Sequence, residues 1–163
     1  LKNVTQLLWE KAKDFLQRAF SIILIATVAV WFLQSFDLHL NMVSDSAHSI
    51  LAVVSGAIAP LFAPLGLGDW RICTALICGV MAKESVVSTL EVLFGGSITA
   101  ALSPLAAACL LVFSLLYTPC VAAVSTIKTE LKSGWKTVGI VFAQCLVAWL
   151  AAFMVYHVGL LLT

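Results

Sequence analysis

Charge is what this chain has least of. Only 10% of its 163 residues are Asp, Glu, Lys or Arg, where a water-soluble domain carries about 25%. With 62% hydrophobic residues and a mean hydropathy of +1.08, the composition is that of an integral membrane protein. A formal net charge of +1 leaves no basic surface for a nucleic-acid partner. H-E-x-x-H, G-x-S-x-G and G-x-x-x-x-G-K-[ST] are all missing, so no hydrolase or NTPase signature is present and the chain reads as a non-enzyme. C-x-x-C is missing too. Cys73, Cys78, Cys109, Cys120 and Cys145 are spread singly through apolar runs, which excludes a secreted disulfide framework and makes most of them small core hydrophobes. The chain opens on Leu1, and no short signal peptide precedes its first span. We therefore expect a piece of a longer protein.

Within residues 1–18, Val4, Leu8, Ala12 and Phe15 recur at helical spacing and lead to Ala19, while Lys2, Glu10, Lys13 and Gln17 lie off that stripe. Asp14 and Arg18 form a favourable i,i+4 pair. This predicts an amphipathic juxtamembrane helix, lying on the bilayer surface or packed on another domain. Residues 19–163 then form one transmembrane domain. Its first span covers 19–36, with Trp31 near the far end. The loop 37–49 carries Asp37, His39, Asp45 and His48 but no Lys or Arg. The apolar run 50–67 is interrupted by Pro60 and Pro64 and closed by Gly66 and Gly68. Each proline removes a donor and crowds the preceding turn, so a broken or re-entrant element is expected.

Asp69 is placed to cap a helix over 70–94 that stops at Gly95-Gly96. Ser103 caps the next helix, with Pro104 at its first position and Tyr117 at its end. Residues 118–131 read as part loop and part half-helix, and 133–136 as an interfacial turn. The final span is 137–162, with Gln144 and His157 satisfied inside the bundle. No internal repeat or low-complexity segment occurs. The predicted fold class is all-α: a polytopic transmembrane helical bundle with broken or re-entrant helices.

Apart from Lys83, which falls inside an apolar run, basic residues are confined to certain connections. Lys2, Lys11, Lys13 and Arg18 precede the first span. Arg71 follows the second element, and Lys128, Lys132 and Lys136 follow the fourth. The stretches 37–49 and 95–102 have none. Five alternating crossings put every basic connection on one side, which the positive-inside rule makes cytoplasmic. The N-terminus is then inside and the C-terminus outside. A re-entrant second element would reverse the later orientation and strand Arg71 on the wrong side.

Two breaks in the apolar runs carry the chemistry. An ionised side chain at the centre of a span costs about 2.5–3.5 kcal/mol, so Lys83 and Glu84 need a reason to be there. Neighbours on a helix point about 100° apart, so each needs a partner elsewhere, or the helix unwinds. Glu84, Ser88 and Glu91 share a face at i, i+4 and i+7. Gly79 would let another backbone approach closely. Either Glu84 is a cation ligand on a hydrophilic pathway, or the pair bonds free carbonyls and amides at a helix break.

The second break is Tyr117-Thr118-Pro119-Cys120. Pro119 disfavours helix at Thr118 and frees carbonyls about one turn earlier. Those oxygens and the thiol make a small set of O and S donors, and sulfur suits late divalent metals. Cys120 is thus the best metal-ligand candidate. The alternative is an apolar thiol beside a proline kink. Cys73 and Cys78 read as packing. His39 and His48 read as solvated loop residues, or as a weak first contact for a cation.

Trp70-Arg71, then Gly79-Val80-Met81-Ala82-Lys83-Glu84, then Tyr117-Thr118-Pro119-Cys120-Val121-Ala122, with Trp135 downstream, together resemble the C-terminal membrane half of the FeoB family of bacterial ferrous iron transporters. Residues 11–19 are also similar to its approach to a membrane span. The resemblance covers most of the chain, and A-K-E followed by P-C-V-A is specific as a combination. It implies an N-terminal cytoplasmic GTP-binding domain, where GTP and Mg would bind, and two Gate-type membrane segments, of which this chain holds the second. It implies Fe(II) as transported substrate and a multi-pass location in the bacterial inner membrane. The implied partners are the lipid bilayer and the remainder of the transporter, meaning the GTPase domain and the first Gate segment. There is room for a small cytoplasmic accessory protein and for a homo-oligomer.

In that family a Cys after Pro in each Gate motif is suspected of contacting iron; it corresponds here to Cys120. The charged motif corresponds to Lys83 and Glu84. The expected function is ferrous iron transport, as the permease part of a GTPase-coupled transporter. Fe(II) would pass Cys120 and the carbonyls near Thr118, with Glu84 supplying negative charge. Lys83, Ser88, Glu91, Thr118 and Pro119 would shape the path. A nucleoside or other solute transporter of Gate type is the alternative, and would want Asn, Gln and aromatic residues at the breaks. A non-transporting scaffold would instead have Lys83 and Glu84 fully paired.

Overall fold

The computed structural model describes residues 2–43, 45–117 and 120–162, with side chains for all of these except 2, 3, 15, 18, 19, 99, 100 and 162. The stripe positions Phe15 and Ala19, and the Arg18 end of the Asp14 pair, fall among those exceptions. The described chain is helical, with a single isolated bridge between Phe36 and Met42. The helices are α1 Lys2–Ser35, α2 Ile50–Phe62, α3 Trp70–Gly79, α4 Ser85–Leu93, α5 Ile98–Ala101, α6 Pro104–Leu116, α7 Val121–Leu131 and α8 Gly134–Leu162. The all-α membrane-type architecture expected from the sequence is what the structure has.

Local chemistry sets most helix ends. The Asp69 carboxylate accepts from Arg71 N at 2.8 Å, the Ser49 hydroxyl from Ala52 N at 3.1 Å and the Ser103 hydroxyl from Ala106 N at 3.2 Å. Each satisfies an amide that the first helical turn leaves without a partner. Gly95 and Gly96 follow α4 at φ 58° and 78°, a left-handed backbone that glycine adopts without steric cost.

Four elements differ in detail from the expected layout, although the break expected within 50–67 is present. First, the surface helix and the first span are one uninterrupted rod, α1, of 34 residues. At 1.5 Å per residue it is about 50 Å long, well over the roughly 30 Å of a bilayer core. Second, α2 runs through Pro60. That proline lies in the last turn, so little is lost but its own hydrogen bond. The real break follows, where a 3-10 turn at Ala63–Leu65 ends in left-handed Gly66. Beyond it α3 leaves at 102° to the helix before it. Third, the helix expected over 70–94 is a hairpin. Val80 to Glu84 unwinds, and α4 returns alongside α3. Gly79 faces Val86 near the tip, and the Arg71 guanidinium lies 5.1 Å from the Phe94 ring at the base. Fourth, α8 begins at Gly134, so the interfacial turn is shorter than expected.

These departures change the crossing count. By length and composition, the stretches Pro104–Leu131 and Gly134–Leu161 can each cross a membrane, and the bent α2–α3 pair makes up to three. The apolar part of α1, Phe20–Ser35, is shorter than the roughly 20 residues of a typical span. Five straight alternating crossings are not what the fold provides, because the hairpin brings its two ends together.

The core lies where α3, α4, α6 and α8 meet. Leu65, Leu67, Ala75, Cys109, Ala148 and Ala152 are completely buried there. Alanines on α8 allow α6 to approach closely, and Leu105 fills the space beside Gly159. Phe62 meets Phe113 edge-on, and Phe113 stacks on Tyr117, with centroids 5.1 and 5.3 Å apart. Trp149 donates its indole N–H to Leu61 O at 3.0 Å, tying α8 to the end of α2. Outward-facing Phe142, Leu146, Val147, Met154 and Leu161 are exposed, as suits a surface meeting lipid or the rest of a larger membrane protein.

Candidate functional site

The two breaks seen in the sequence meet in space. The tip of the α3–α4 hairpin docks on the end of α6 and the start of α7. Val121 N donates to Val80 O at 2.9 Å, so one helix start and one helix end complete each other. The Tyr117 hydroxyl donates to Leu76 O at 3.1 Å in a buried position. Gly79 is needed at this crossing, because a Cβ there would run into Val86 and the Tyr117 hydroxyl. Side chains, not a second backbone, occupy the space that this glycine leaves.

Lys83 links the two breaks most directly. Its ammonium donates to Leu115 O and Tyr117 O, each at 3.2 Å, and lies 5.0 Å from the Tyr117 ring centroid. Leu115 lies four residues before Pro119, which carries no N–H, so this carbonyl lacks its usual helical donor. The ammonium takes that place. It also sits at the negative end of the α6 dipole.

Glu84 is next in the chain and exposed, at the start of α4. Ser88 and Glu91 are exposed further along that helix. Cys120 is partly buried and immediately precedes α7. Thr118 and Pro119 lie outside the described residues. Among the described residues, no three His, Cys, Asp or Glu side chains come together in a way that could hold a metal ion. Expected carbonyl donors therefore exist, but two of them are occupied by Lys83.

Comparison with known proteins now bears on this crossing. The family model Gate, described as nucleoside recognition, matches residues 16–134. The chain belongs to the Gate family. It is similar to the Fe(2+) transporter FeoB of Methanocaldococcus jannaschii, with 34% identity over 99% of this chain and 25% of the relative. The Fe(2+) transporter FeoB of Staphylococcus aureus strain COL is 33% identical over 98% of this chain and 25% of the relative. A Porphyromonas gingivalis protein named as a fusion of Fe(2+) transport protein A and Fe(2+) transporter FeoB is 28% identical over 98% of this chain and 25% of its own length. The chain thus spans about a quarter of these relatives and corresponds to a FeoB membrane region. No solved structure matches it.

Some residues of this Gate chain were not singled out from the sequence. Tyr117 ends a helix and opens the second break motif in the sequence, with no role of its own assigned there; the structure shows it contributing a hydroxyl, a ring face and a carbonyl to the crossing. Its position just before the proline break was the available signal. Gln34 donates to Cys78 Sγ at 3.5 Å, and Thr74 pairs with Ser55 at 2.9 Å. Two expectations fail. Among the described residues, the buried Gln144 Oε1 has no hydrogen-bond partner. His157 is exposed, and its ring contacts Phe153 O of its own helix at 3.0 Å.

Proposed function

We propose that this chain is the second Gate segment of a ferrous iron permease, and that Fe(II) passes where the hairpin tip meets the α6–α7 break. The supporting observation is the Lys83 ammonium seated on two backbone carbonyls. Oxygens that hold a resident cation can hold a transient one. An arriving Fe(II) competes with Lys83 for Leu115 O and Tyr117 O. Glu84 supplies negative charge beside them, and Cys120 supplies a sulfur donor that favours ferrous iron over Mg and Ca. Ser88 and Glu91 extend the polar face along α4. Thr118 and Pro119 follow α6 in the chain, and a proline there, with no N–H to donate, would not continue a regular helix. A sparse ligand set suits conduction, which needs binding weak enough to release the ion.

In this reading the protein is multi-pass in the bacterial inner membrane. The remainder of the transporter supplies the first Gate segment and a GTPase domain, where GTP and Mg bind. A small accessory protein and a second copy are further partners. Nucleosides are not the expected cargo, because Lys83 and Glu84 dominate the hairpin tip.

The test is Fe(II) uptake by the full-length transporter carrying Cys120→Ser or Glu84→Ala. Each is expected to lower uptake at unchanged abundance in the membrane. Unchanged uptake in both removes these residues from the path. In purified protein, Fe(II) and not nucleosides is expected to raise the thermal midpoint.

A further inference from the structure

A second polar feature lies away from the crossing. A cavity of about 260 Å³ opens between the end of α1, the starts of α2 and α3, and α4. Polar side chains of Gln34, Ser49, Thr74, Ser88 and Thr89 contribute to its wall. We propose that it is a vestibule that binds a divalent cation with its water shell intact. The proposal rests on the permease reading for its direction of travel, but not for the cavity's own chemistry.

Donor directions in the wall argue for a hydrated cation. The Ser49 hydroxyl gives its hydrogen to Ser46 O at 2.7 Å, and the Ser88 hydroxyl gives its own to Ser85 O at 3.1 Å. The Gln34 amide nitrogen is turned to Cys78 Sγ. What these groups have left for a guest is mostly lone pairs. A hydrated cation presents only outward-pointing O–H groups, so it requires acceptors around it. An anion would find few hydrogens here, because those of the Ser49 and Ser88 hydroxyls are committed elsewhere.

Size agrees. Six waters occupy about 180 Å³ at roughly 30 Å³ each, which fits. The loop 37–49 beside the cavity contributes Ser46 and Ser49 to the wall. A hydrogen-bond relay, not an open passage, runs from the cavity wall toward the crossing. Cys78, bonded to Gln34, accepts through its carbonyl from the Ser85 hydroxyl at 3.3 Å, one residue from Glu84.

Cobalt(III) hexaammine tests this, because it mimics a hydrated cation and cannot shed its shell. Ser88→Cys and Thr89→Cys are made separately in the full-length transporter. Labelling by a membrane-impermeant thiol reagent is compared with the unmodified protein. Both positions are expected to label. The hexaammine should slow labelling about tenfold at about ten times its dissociation constant. It should also compete with Fe(II) uptake. The protection should persist when Cys120→Ser is added, so failure of the crossing as an iron path is read separately. No labelling at either position, or labelling that the hexaammine leaves unchanged, overturns the vestibule.

Discussion

At the scale of single residues, Lys83 is the clearest case of a charge with a structural job in a greasy setting. Removing it leaves Leu115 O and Tyr117 O without the donor they have now. A fully buried acceptor left unpaired costs about 1–3 kcal/mol; the Tyr117 O bond is partly buried and the Leu115 O bond is exposed, so the low end of that range applies. Lys83→Met is therefore expected to lower the thermal midpoint of the purified protein by that order of stability. An unchanged midpoint would show that water replaces the ammonium at no cost.

Asp37 offers a pH-dependent counterpart in the loop. Its carboxylate accepts from His39 N at 2.6 Å and Asn41 N at 3.1 Å. The backbone hydrogen bond from Asn41, aided by that from His39, holds its pKa below the usual carboxylate value. The turn's stabilisation is thus fully present above the unfolded pKa and is lost as pH falls through the lowered folded value. Protection of the His39 and Asn41 amides from exchange, taken relative to the intrinsic rate at each pH, should fall on acidification through that window, and Asp37→Asn should abolish the dependence.

At the scale of elements, the hairpin separates what was legible from what was not. Asp69, Ser103 and Gly95-Gly96 mark helix ends through contacts within a few residues, and the sequence displays such contacts directly. Lys83 and Glu84 announced that something must give, since neither could neutralise the other on a regular helix. That the chain doubles back depends on Gly79 against Val86 and Arg71 over Phe94. Such pairings join distant positions and leave no periodic trace. The same holds for Leu115 and Lys83, 32 residues apart. A proline predicts an orphan carbonyl, but not the side chain that will satisfy it.

The hairpin can be measured directly. A straight helix would hold positions 70 and 94 about 36 Å apart at 1.5 Å per residue. Spin labels on Trp70→Cys and Phe94→Cys are expected to report a separation far below that. A distance near the straight-helix value would return the segment to a single span.

At the scale of the whole molecule, the hairpin decides sidedness. The starts of α3 and α5 should lie on the same face of the membrane. Cysteines at Trp70 and Ser97 are expected to react with an impermeant reagent from that same face. Reaction from opposite faces would restore alternating crossings. Basic residues alone could not settle this, because Arg71 stacks near the Trp70 and Phe94 rings at 5.6 and 5.1 Å. A guanidinium held on aromatic faces is a weaker topological marker than one free in a loop.

The Val121–Val80 hydrogen bond has a mechanical consequence. Each partner is the loose end of a different helix, so neither can retract without exposing the other. A pull on α7 would reach the Lys83 loop through one peptide group, with no side chain in between. The two fractured helices therefore act as clasped fingers: force applied to either wrist arrives at the grip.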